Sequence, residues 1–283
     1  MLEAGWWSER GEGVLCGLCW RKCSIARGEK GLCGVRGCSP DGRLVSPHLG
    51  RFVSIAVDPV EKKPLRRWRP GTRILSLGGV GCNMRCPFCQ NHAISMPARP
   101  LAEREVPPEE LAAAARDLGV PSVAYTYNEP TLQAEYIFAA SPLLRSSGIA
   151  TVMVTNGMFS DEACGEAMRH VDAMNVDVKT FDAEAYRRLG GSLDAVTRSV
   201  ERLVAGGVHV ELTNLIVPGV SDSEADFTRL VDWAESVSPD VPLHISRYFP
   251  SHEYSDPPTD VSLMRRLFGI ASERLRYVYL GNV

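Results

Sequence analysis

The sequence lacks long hydrophobic runs and carries little net charge. No stretch of about 18 apolar residues occurs among the 283, so no membrane-spanning helix is predicted. The first ten residues contain two glutamates and no apolar run, which predicts that no signal peptide is present. We therefore expect a cytoplasmic protein. With a net charge of -3, the chain offers no broad electrostatic attraction to nucleic acid.

One short segment departs from this balance. Residues 62–69 read Lys-Lys-Pro-Leu-Arg-Arg-Trp-Arg, so they are locally basic. We expect a solvated loop here, and contact with an acidic partner is the alternative.

The composition changes near residue 72. Residues 11–42 are rich in glycine and cysteine and poor in periodic apolar pattern, so we expect them to depend on a metal for their shape. From residue 73 onward, short apolar runs alternate with amphipathic stretches. The sequence thus predicts an N-terminal Cys-rich module with a linker over 1–72 and a second domain over 73–283.

The second domain predicts alternating strands and helices. Apolar runs indicate strands at 73–80, 122–126, 149–154, 173–178, 208–217 and 242–246, with a seventh at 277–280. One helix is predicted from Pro108 to Leu118, before Gly119. Another follows Ser221 and Glu224, which have capping-box spacing, and buries an apolar face made by Phe227, Leu230, Val231 and Ala234.

Alternation of this kind predicts a parallel sheet. Residues 73–283 are at the low end of what a complete eight-stranded barrel needs and suffice for a smaller one. The predicted fold is therefore α/β, a partial (β/α)6 TIM-type barrel that carries the N-terminal Cys-rich module.

Three cysteines lie close together after the first of these strands. Cys82, Cys86 and Cys89 have the spacing C-x3-C-x2-C on one short loop. Three thiolates leave a metal centre with an open coordination position, which is typical of a reactive site. The centre is either a 4Fe-4S cluster with one free iron or a zinc ion with a water as fourth ligand.

Further polar residues follow the other strands. Glu129, Asn156, Asp177, Lys179 and His244 lie at or near predicted carboxyl ends, where barrel enzymes place their active sites. Each has a plainer interpretation: a carboxylate at a helix start, a turn residue, an ion pair between the aspartate and the lysine, and a packed histidine.

The N-terminal module contains a second cysteine group. Cys16, Cys19, Cys23 and Cys33 have the spacing C-x2-C-x3-C-x9-C. Four thiolates suit a closed zinc site or an auxiliary 4Fe-4S cluster, and free thiols are the remaining alternative. Cys164, on a predicted helix, is expected in the core.

The cysteine loop resembles a known family. With an aromatic residue, Phe88, before the third cysteine, residues 81–91 are similar to the radical S-adenosylmethionine (SAM) superfamily, and the resemblance extends over residues 73–280. Residues 154–157, 176–179 and 217–219 resemble the branch of the pyruvate formate-lyase activating enzymes. Residues 16–23, 31–36, 57–65, 244–250 and 279–283 resemble the radical SAM component of the AmmeMemoRadiSam group.

The resemblance implies cofactors and roles. Cys82, Cys86 and Cys89 would hold a 4Fe-4S cluster whose open iron binds SAM. Glu129 would bind the amino group of SAM, and Asn156 its ribose or carboxylate. The remaining expected cofactor contacts are Asp177, Lys179 and His244.

It also implies a reaction class. Reductive cleavage of SAM would give a 5′-deoxyadenosyl radical that abstracts hydrogen from a substrate, which we expect to be a protein or peptide, as in glycyl-radical activation. Radical modification of a small metabolite and a non-catalytic metal-binding redox sensor are the alternatives. The electron would come from an external donor of the flavodoxin or ferredoxin type.

Overall fold

The computed structural model describes residues 4–283. Residues 1–3 belong to the N-terminal segment for which no signal peptide is predicted. They lie outside the described residues. The chain opens with short strands: β1 (Trp7–Arg10), β2 (Gly13–Cys16), β3 (Ser24–Ile25), β4 (Gly37–Cys38), β5 (Leu44–Val45) and β6 (Arg51–Phe52). The first three form an antiparallel sheet, and β4 pairs with β5.

The strands that follow form one large sheet, except for the two-residue strand β9 (Arg104–Glu105), which pairs with β6. They are β7 (Ser54–Pro59), β8 (Arg73–Gly78), β9 (Arg104–Glu105), β10 (Ser122–Tyr125), β11 (Ala150–Thr155), β12 (Ala173–Asp177), β13 (His209–Ile216), β14 (Leu243–Arg247) and β15 (Val278–Gly281). The sheet order is β15-β14-β13-β12-β11-β10-β8-β7, and β9 is the strand paired with β6.

All strand pairs from β8 to β15 in this sheet are parallel, whereas β7 runs antiparallel to β8. The six predicted strands and the seventh at the C-terminal end are confirmed. Strand β7 was not predicted; it lies before the compositional change at residue 72 yet joins the large sheet. Its two outermost strands, β15 and β7, leave the described barrel open on one side.

Helices connect the parallel strands, as a right-handed α/β architecture requires. They are α1 (His92–Ser95), α2 (Pro108–Asp117), α3 (Ala134–Ser146), α4 (Asp161–His170), α5 (Ala183–Arg188), α6 (Leu193–Ala205), α7 (Glu224–Val237) and α8 (Val261–Ser272). Two 3-10 turns cover Val60–Lys62 and Pro130–Gln133. Helix α2 begins with its proline and ends before Gly119, which has φ of 63°.

The predicted start of α7 is wrong by two residues. Ser223, not Ser221, is the N-cap, and its hydroxyl accepts the backbone N–H of Asp226. The Ser221 hydroxyl instead accepts from Val217 N and donates to Leu215 O, so it secures the turn after β13. The expected apolar face of α7 is buried, as predicted.

The basic segment 62–69 is only in part the solvated loop that was expected: Lys62, Arg66 and Arg67 are exposed, but the rest of the segment packs on the barrel. Leu65 is fully buried in an apolar cluster with residues from four strands of the large sheet, including Ile74 and Ala124. Pro64 O accepts a hydrogen bond from Asn175 of β12. The Trp68 ring packs against the ring of His209, the first residue of β13, at an interplanar angle of 41°. The segment therefore closes the amino-terminal end of the barrel.

Within residues 4–283, we find no helix both long enough and apolar enough to cross a bilayer.

Candidate active site at the carboxyl ends of the strands

The cysteine loop follows β8 and begins at Gly81. Any other residue at this position would force the neighbouring atoms to move. Gly81 has φ of 90°, and a Cβ atom there would lie 2.7 Å from Cys33 O and from Val35 Cγ1. This contact is where the N-terminal module packs against the loop. Gly81 N donates to Ile94 O at 2.9 Å, which fixes the loop to the short helix α1.

The thiol of Cys82 faces two N–H donors. The backbone N–H of Met84 lies 3.4 Å from Cys82 Sγ, and Asn156 Nδ2 lies 4.0 Å from it. Burial, reinforced by the nearby Glu129 carboxylate, raises the pKa of the Cys82 thiol. Hydrogen bonds from such donors stabilise a thiolate once a cation has displaced its proton.

Glu129 is the centre of a buried hydrogen-bond network. Its Oε1 accepts from Thr131 N at 2.9 Å, Thr131 Oγ1 at 2.6 Å and Thr155 Oγ1 at 2.7 Å. Its Oε2 accepts from Asn156 N at 2.9 Å. Burial raises the pKa of this carboxyl, although these donors act in the opposite direction. The carboxylate thus caps the turn Pro130–Gln133 and also joins the ends of two strands.

Two large residues precede Glu129. Asn128 holds the start of the cysteine loop, and the Tyr127 carbonyl accepts from Asn91 Nδ2 at 2.7 Å just after the loop. Tyr127 has φ of 72°, a left-handed conformation that favours glycine. Its hydroxyl donates to Asp58 Oδ2 at 2.7 Å, and burial together with this bond raises the pKa of Tyr127 to about 12. Asn128 accepts from Gly79 N at 3.0 Å and donates to Gly81 O at 2.9 Å.

Asp177 and Lys179 form an ion pair beside Cys86. Lys179 Nζ lies 2.7 Å from Asp177 Oδ2. Burial lowers the pKa of Lys179, but the attraction of Asp177 outweighs it, so the net shift is upward. Burial raises the pKa of Cys86 to about 11, while the Lys179 ammonium acts to lower it. A cation of the protein is therefore available to the thiolate of Cys86.

His244 lies deeper in the barrel than the other predicted residues. It is buried, its Nε2 is 2.7 Å from Glu211 Oε2, and its ring stacks on Tyr279. Glu211 in turn accepts from the backbone N–H groups of Arg66 and Arg67 in the segment that closes the amino-terminal end. The structure thus joins His244 to this segment rather than to the network around Glu129.

A segment after β14 covers one side of the cysteine loop. Glu253 N donates to Pro87 O at 2.9 Å, and Ser251 Oγ to Cys89 O at 3.5 Å. Tyr254 meets the ring of Phe88 edge-to-face and donates to Pro218 O at 2.7 Å. This segment therefore packs on the second half of the loop, residues 87–89.

The four N-terminal cysteines belong to the module that packs against the start of the loop, at Gly81. The module reaches the barrel rim through a backbone bond from Ser160 N to Leu18 O and through a bridge between Cys19 and Phe159. Within residues 4–283, no three His, Cys, Asp or Glu side chains lie close enough to hold a single metal ion. Cys164 is buried on α4, as predicted.

Sequence reasoning missed three residues that organise this region. Asn83 is buried and its Oδ1 accepts from Asn156 Nδ2 at 2.7 Å. Asp58 holds Tyr127, and Glu211 holds His244. The only sequence signal was position: Asn83 stands beside a cysteine, and Asp58 stands in one of the segments that carried the resemblance.

The chain matches known proteins over most of its length. The model of the Radical SAM superfamily matches residues 77–234, more than half of the chain. An uncharacterised protein of Methanocaldococcus jannaschii is 38% identical over 95% of this chain and 81% of its own length. A probable GTP 3′,8-cyclase of Archaeoglobus fulgidus is 33% identical over 51% of this chain and 49% of its own.

Two more comparisons concern the branch and the fold. A pyruvate formate-lyase-activating enzyme of Clostridium pasteurianum is 26% identical over 56% of this chain and 67% of its own length. A crystal structure of Streptococcus suis SuiB bound to S-adenosylmethionine superposes with a TM-score of 0.55 at 17% identity, covering 71% of this chain and 47% of that one. The likeness of the backbone supports the partial barrel. The extent of the family match shows that this chain belongs to the radical SAM superfamily, enzymes that use a 4Fe-4S cluster and SAM.

Proposed function

We propose that Cys82, Cys86 and Cys89 hold the 4Fe-4S cluster and leave its fourth iron for SAM. What supports this is the chemistry of the donor set: three thiols on one loop, two N–H groups at Cys82 Sγ, and the Lys179 ammonium beside Cys86. Each of these features stabilises thiolates that bind an iron cluster.

We propose that the rim residues orient SAM. Glu129 Oε2 accepts only from Asn156 N among the described hydrogen bonds, so it retains capacity for the SAM ammonium. Asn156, Asp177 and Lys179 supply polar and charged groups at the same rim. His244 is the remaining expected contact; its Nε2 is held by Glu211 at 2.7 Å, so its Nδ1 would be the nitrogen left for the cofactor.

When bound, the cluster and SAM supply one-electron cleavage of a sulfonium bond to methionine and a 5′-deoxyadenosyl radical. The residues of this chain would fix the position of the cluster relative to SAM and limit the access of water to both. Asn128 holds the start of the loop through Gly81 O, the Tyr127 carbonyl holds Asn91 just after it, and Tyr254 packs on Phe88. The electron would come from a flavodoxin- or ferredoxin-type protein.

We propose a protein or peptide as the substrate, from which the radical abstracts hydrogen. The observation that carries this proposal is the open side of the barrel between β15 and β7, since a bulky substrate needs lateral access to the strand ends. Relatives named pyruvate formate-lyase-activating enzyme are consistent with it. Membership of the AmmeMemoRadiSam group and a cytoplasmic location remain predictions.

A small-molecule substrate is the second candidate. The GTP 3′,8-cyclase relatives, at 33% and 32% identity over about half of this chain, favour it. Family membership in an enzyme superfamily leaves a non-catalytic redox sensor without support.

The cluster proposal is tested by SAM cleavage. The full chain, reconstituted anaerobically with iron and sulfide and reduced by dithionite, should form 5′-deoxyadenosine from SAM. Cys82→Ala should abolish this product, while Cys164→Ala, which removes another buried thiol, should not. Product from the Cys82→Ala variant, or none from the wild type, would contradict the proposal.

The substrate proposal is tested by fractions of host-cell extract separated by size. Stimulation of 5′-deoxyadenosine formation by the macromolecular fraction, lost after protease treatment, is the expected result. Stimulation by the small-molecule fraction alone would favour the second candidate.

A further inference from the structure

Four cysteines of the N-terminal module line one small cavity. Its volume open to a water-sized sphere is about 20 Å³, above the roughly 10–15 Å³ that one water needs. The thiols that line it are Cys16, Cys19, Cys23 and Cys33. Local structure brings them together: Cys16 ends β2, and its N–H donates to Cys23 O at 2.9 Å. The remaining lining is mostly apolar, with Leu18, Ile25 and Leu132 among its residues.

Three polar groups of the same lining have no hydrogen-bond partner among the described residues. They are Arg36 Nε, Arg21 Nε and Asn83 Nδ2. Arg36 and Asn83 are each only 1% exposed. A buried donor left unpaired costs roughly 1–3 kcal/mol. The side chains of Arg36 and Asn83 face the thiols of Cys16 and Cys19, so these donors indicate an acceptor at those sulfur atoms.

The charge of the lining indicates that this acceptor is anionic. Two guanidinium groups, of Arg21 and Arg36, contribute to the lining, and no carboxylate does. The other nitrogens of Arg36 are already used: Nη1 lies 2.8 Å from Glu135 Oε1, and Nη2 donates to Gly5 O. Its Nε is thus the donor left for the cavity. Four thiolates around a metal centre carry the negative charge that such donors stabilise.

Four thiolates can hold either one zinc ion or an iron-sulfur cluster. A zinc ion would draw the four sulfur atoms to about 2.3 Å from one point. Within residues 4–283, no three cysteine thiols are gathered in that way, in this group or at Cys82, Cys86 and Cys89. A cluster spreads its ligands over four irons, and its sulfides accept hydrogen bonds from surrounding N–H groups.

We propose that Cys16, Cys19, Cys23 and Cys33 bind a second 4Fe-4S cluster, with all four of its irons ligated by the protein. Asn83 connects it to the first site. This residue follows Cys82 directly, lines the cavity with its side chain, and accepts from Asn156 with its Oδ1. One residue therefore contacts both cysteine groups.

Metal content tests this proposal on the full chain, reconstituted anaerobically with iron and sulfide. The wild type should contain about eight irons per chain, which is two four-iron clusters. Cys16→Ala/Cys19→Ala and Cys86→Ala/Cys89→Ala should each retain about four, since each removes one cluster. Cys164→Ala, the matched control, should keep the wild-type content.

The response to SAM tells the two clusters apart. The reduced electron paramagnetic resonance signal of Cys16→Ala/Cys19→Ala should change when SAM is added, and that of Cys86→Ala/Cys89→Ala should not. If the cluster at Cys82, Cys86 and Cys89 alone failed to form, iron would remain in Cys86→Ala/Cys89→Ala and would be absent from Cys16→Ala/Cys19→Ala. About four irons in the wild type, or zinc that is lost with Cys16 and Cys19, would overturn the proposal whether or not the variants fold.

Discussion

At the scale of single residues, Glu211 places a buried carboxylate inside the barrel, with four hydrogen-bond donors around it. Its carboxylate is fully buried and accepts from His209, His244 and the backbone of Arg66 and Arg67. Burial raises its pKa, but the hydrogen bonds of the two histidines and the two backbone groups outweigh this and lower the pKa to about 2. The ionised form is therefore the one that the fold stabilises.

We expect Glu211→Gln to lower the free energy of unfolding by about 3 kcal/mol at pH 7, because the amide presents one acceptor to four donors. A carboxyl whose folded pKa is depressed stabilises the fold above its unfolded pKa of about 4.5, and this contribution is lost as the pH falls toward 2. Urea denaturation should show nearly the same gap in the free energy of unfolding between wild type and variant at pH 7 and pH 5, and a gap that narrows at pH 4 and again at pH 3. A gap independent of pH would contradict this assignment.

Tyr127 gives a second prediction at this scale. Tyr127→Phe removes the hydrogen bond to Asp58, which keeps its 2.7 Å contact with Lys63. We expect a loss of about 2 kcal/mol in the free energy of unfolding, typical of a bond to a charged group. Lys62→Ala, which removes an exposed cation from the same carboxylate, should cost less than about 1 kcal/mol. Equal losses from the two variants would show that the hydroxyl is not the anchor.

The identity of the rim residues could be predicted from sequence, but their partners could not. Glu129 and Asn156 follow apolar runs, and parallel strands bring such positions to one edge. The donors to Glu129 include Thr155, which is 26 residues away, so only the folded sheet reveals the pairing. The Thr213 hydroxyl likewise donates to Asn175 Oδ1, 38 residues away on the neighbouring strand.

At the scale of elements, apolar periodicity located the parallel strands because they are buried on both faces. It missed β7, whose residues are mostly half-buried and precede the change in composition. It also misjudged the basic segment 62–69. That segment reads as a surface loop because its cations dominate the sequence, although its backbone and Leu65 fill the end of the barrel.

Helix α7 offers a test of the corrected N-cap. Ser223→Ala should cost about 1 kcal/mol, since it removes the acceptor for Asp226 N. Ser221→Ala should cost more, about 2 kcal/mol, because it leaves the N–H of buried Val217 without its acceptor. Chemical denaturation of both variants measures the difference. The reverse order would restore the capping box predicted from sequence.

At the scale of the whole molecule, a buried ion pair joins the N-terminal module to the barrel. Arg36 of the module lies 2.8 Å from Glu135 of α3, with side chains 1% and 8% exposed. Glu135 also accepts from Gly5 N at 2.8 Å. Sequence reasoning separated the two regions by composition, but no local pattern identifies a pair that is 99 residues apart.

We expect Glu135→Ala to lower the free energy of unfolding by about 3–5 kcal/mol, because it leaves the Arg36 guanidinium buried without a counter-charge. Glu135→Gln keeps an acceptor for Arg36 and for Gly5 N, so its cost should be clearly smaller. Thermal denaturation gives the stability, and limited proteolysis shows whether the module detaches first. If the module of Glu135→Ala is cleaved while the barrel still resists the protease, this ion pair is what holds the two regions together. Equal stability of the two variants would mean instead that packing at Gly81 and Cys19 holds the module. The attraction between Arg36 and Glu135 would then only offset the cost of removing the two charges from water.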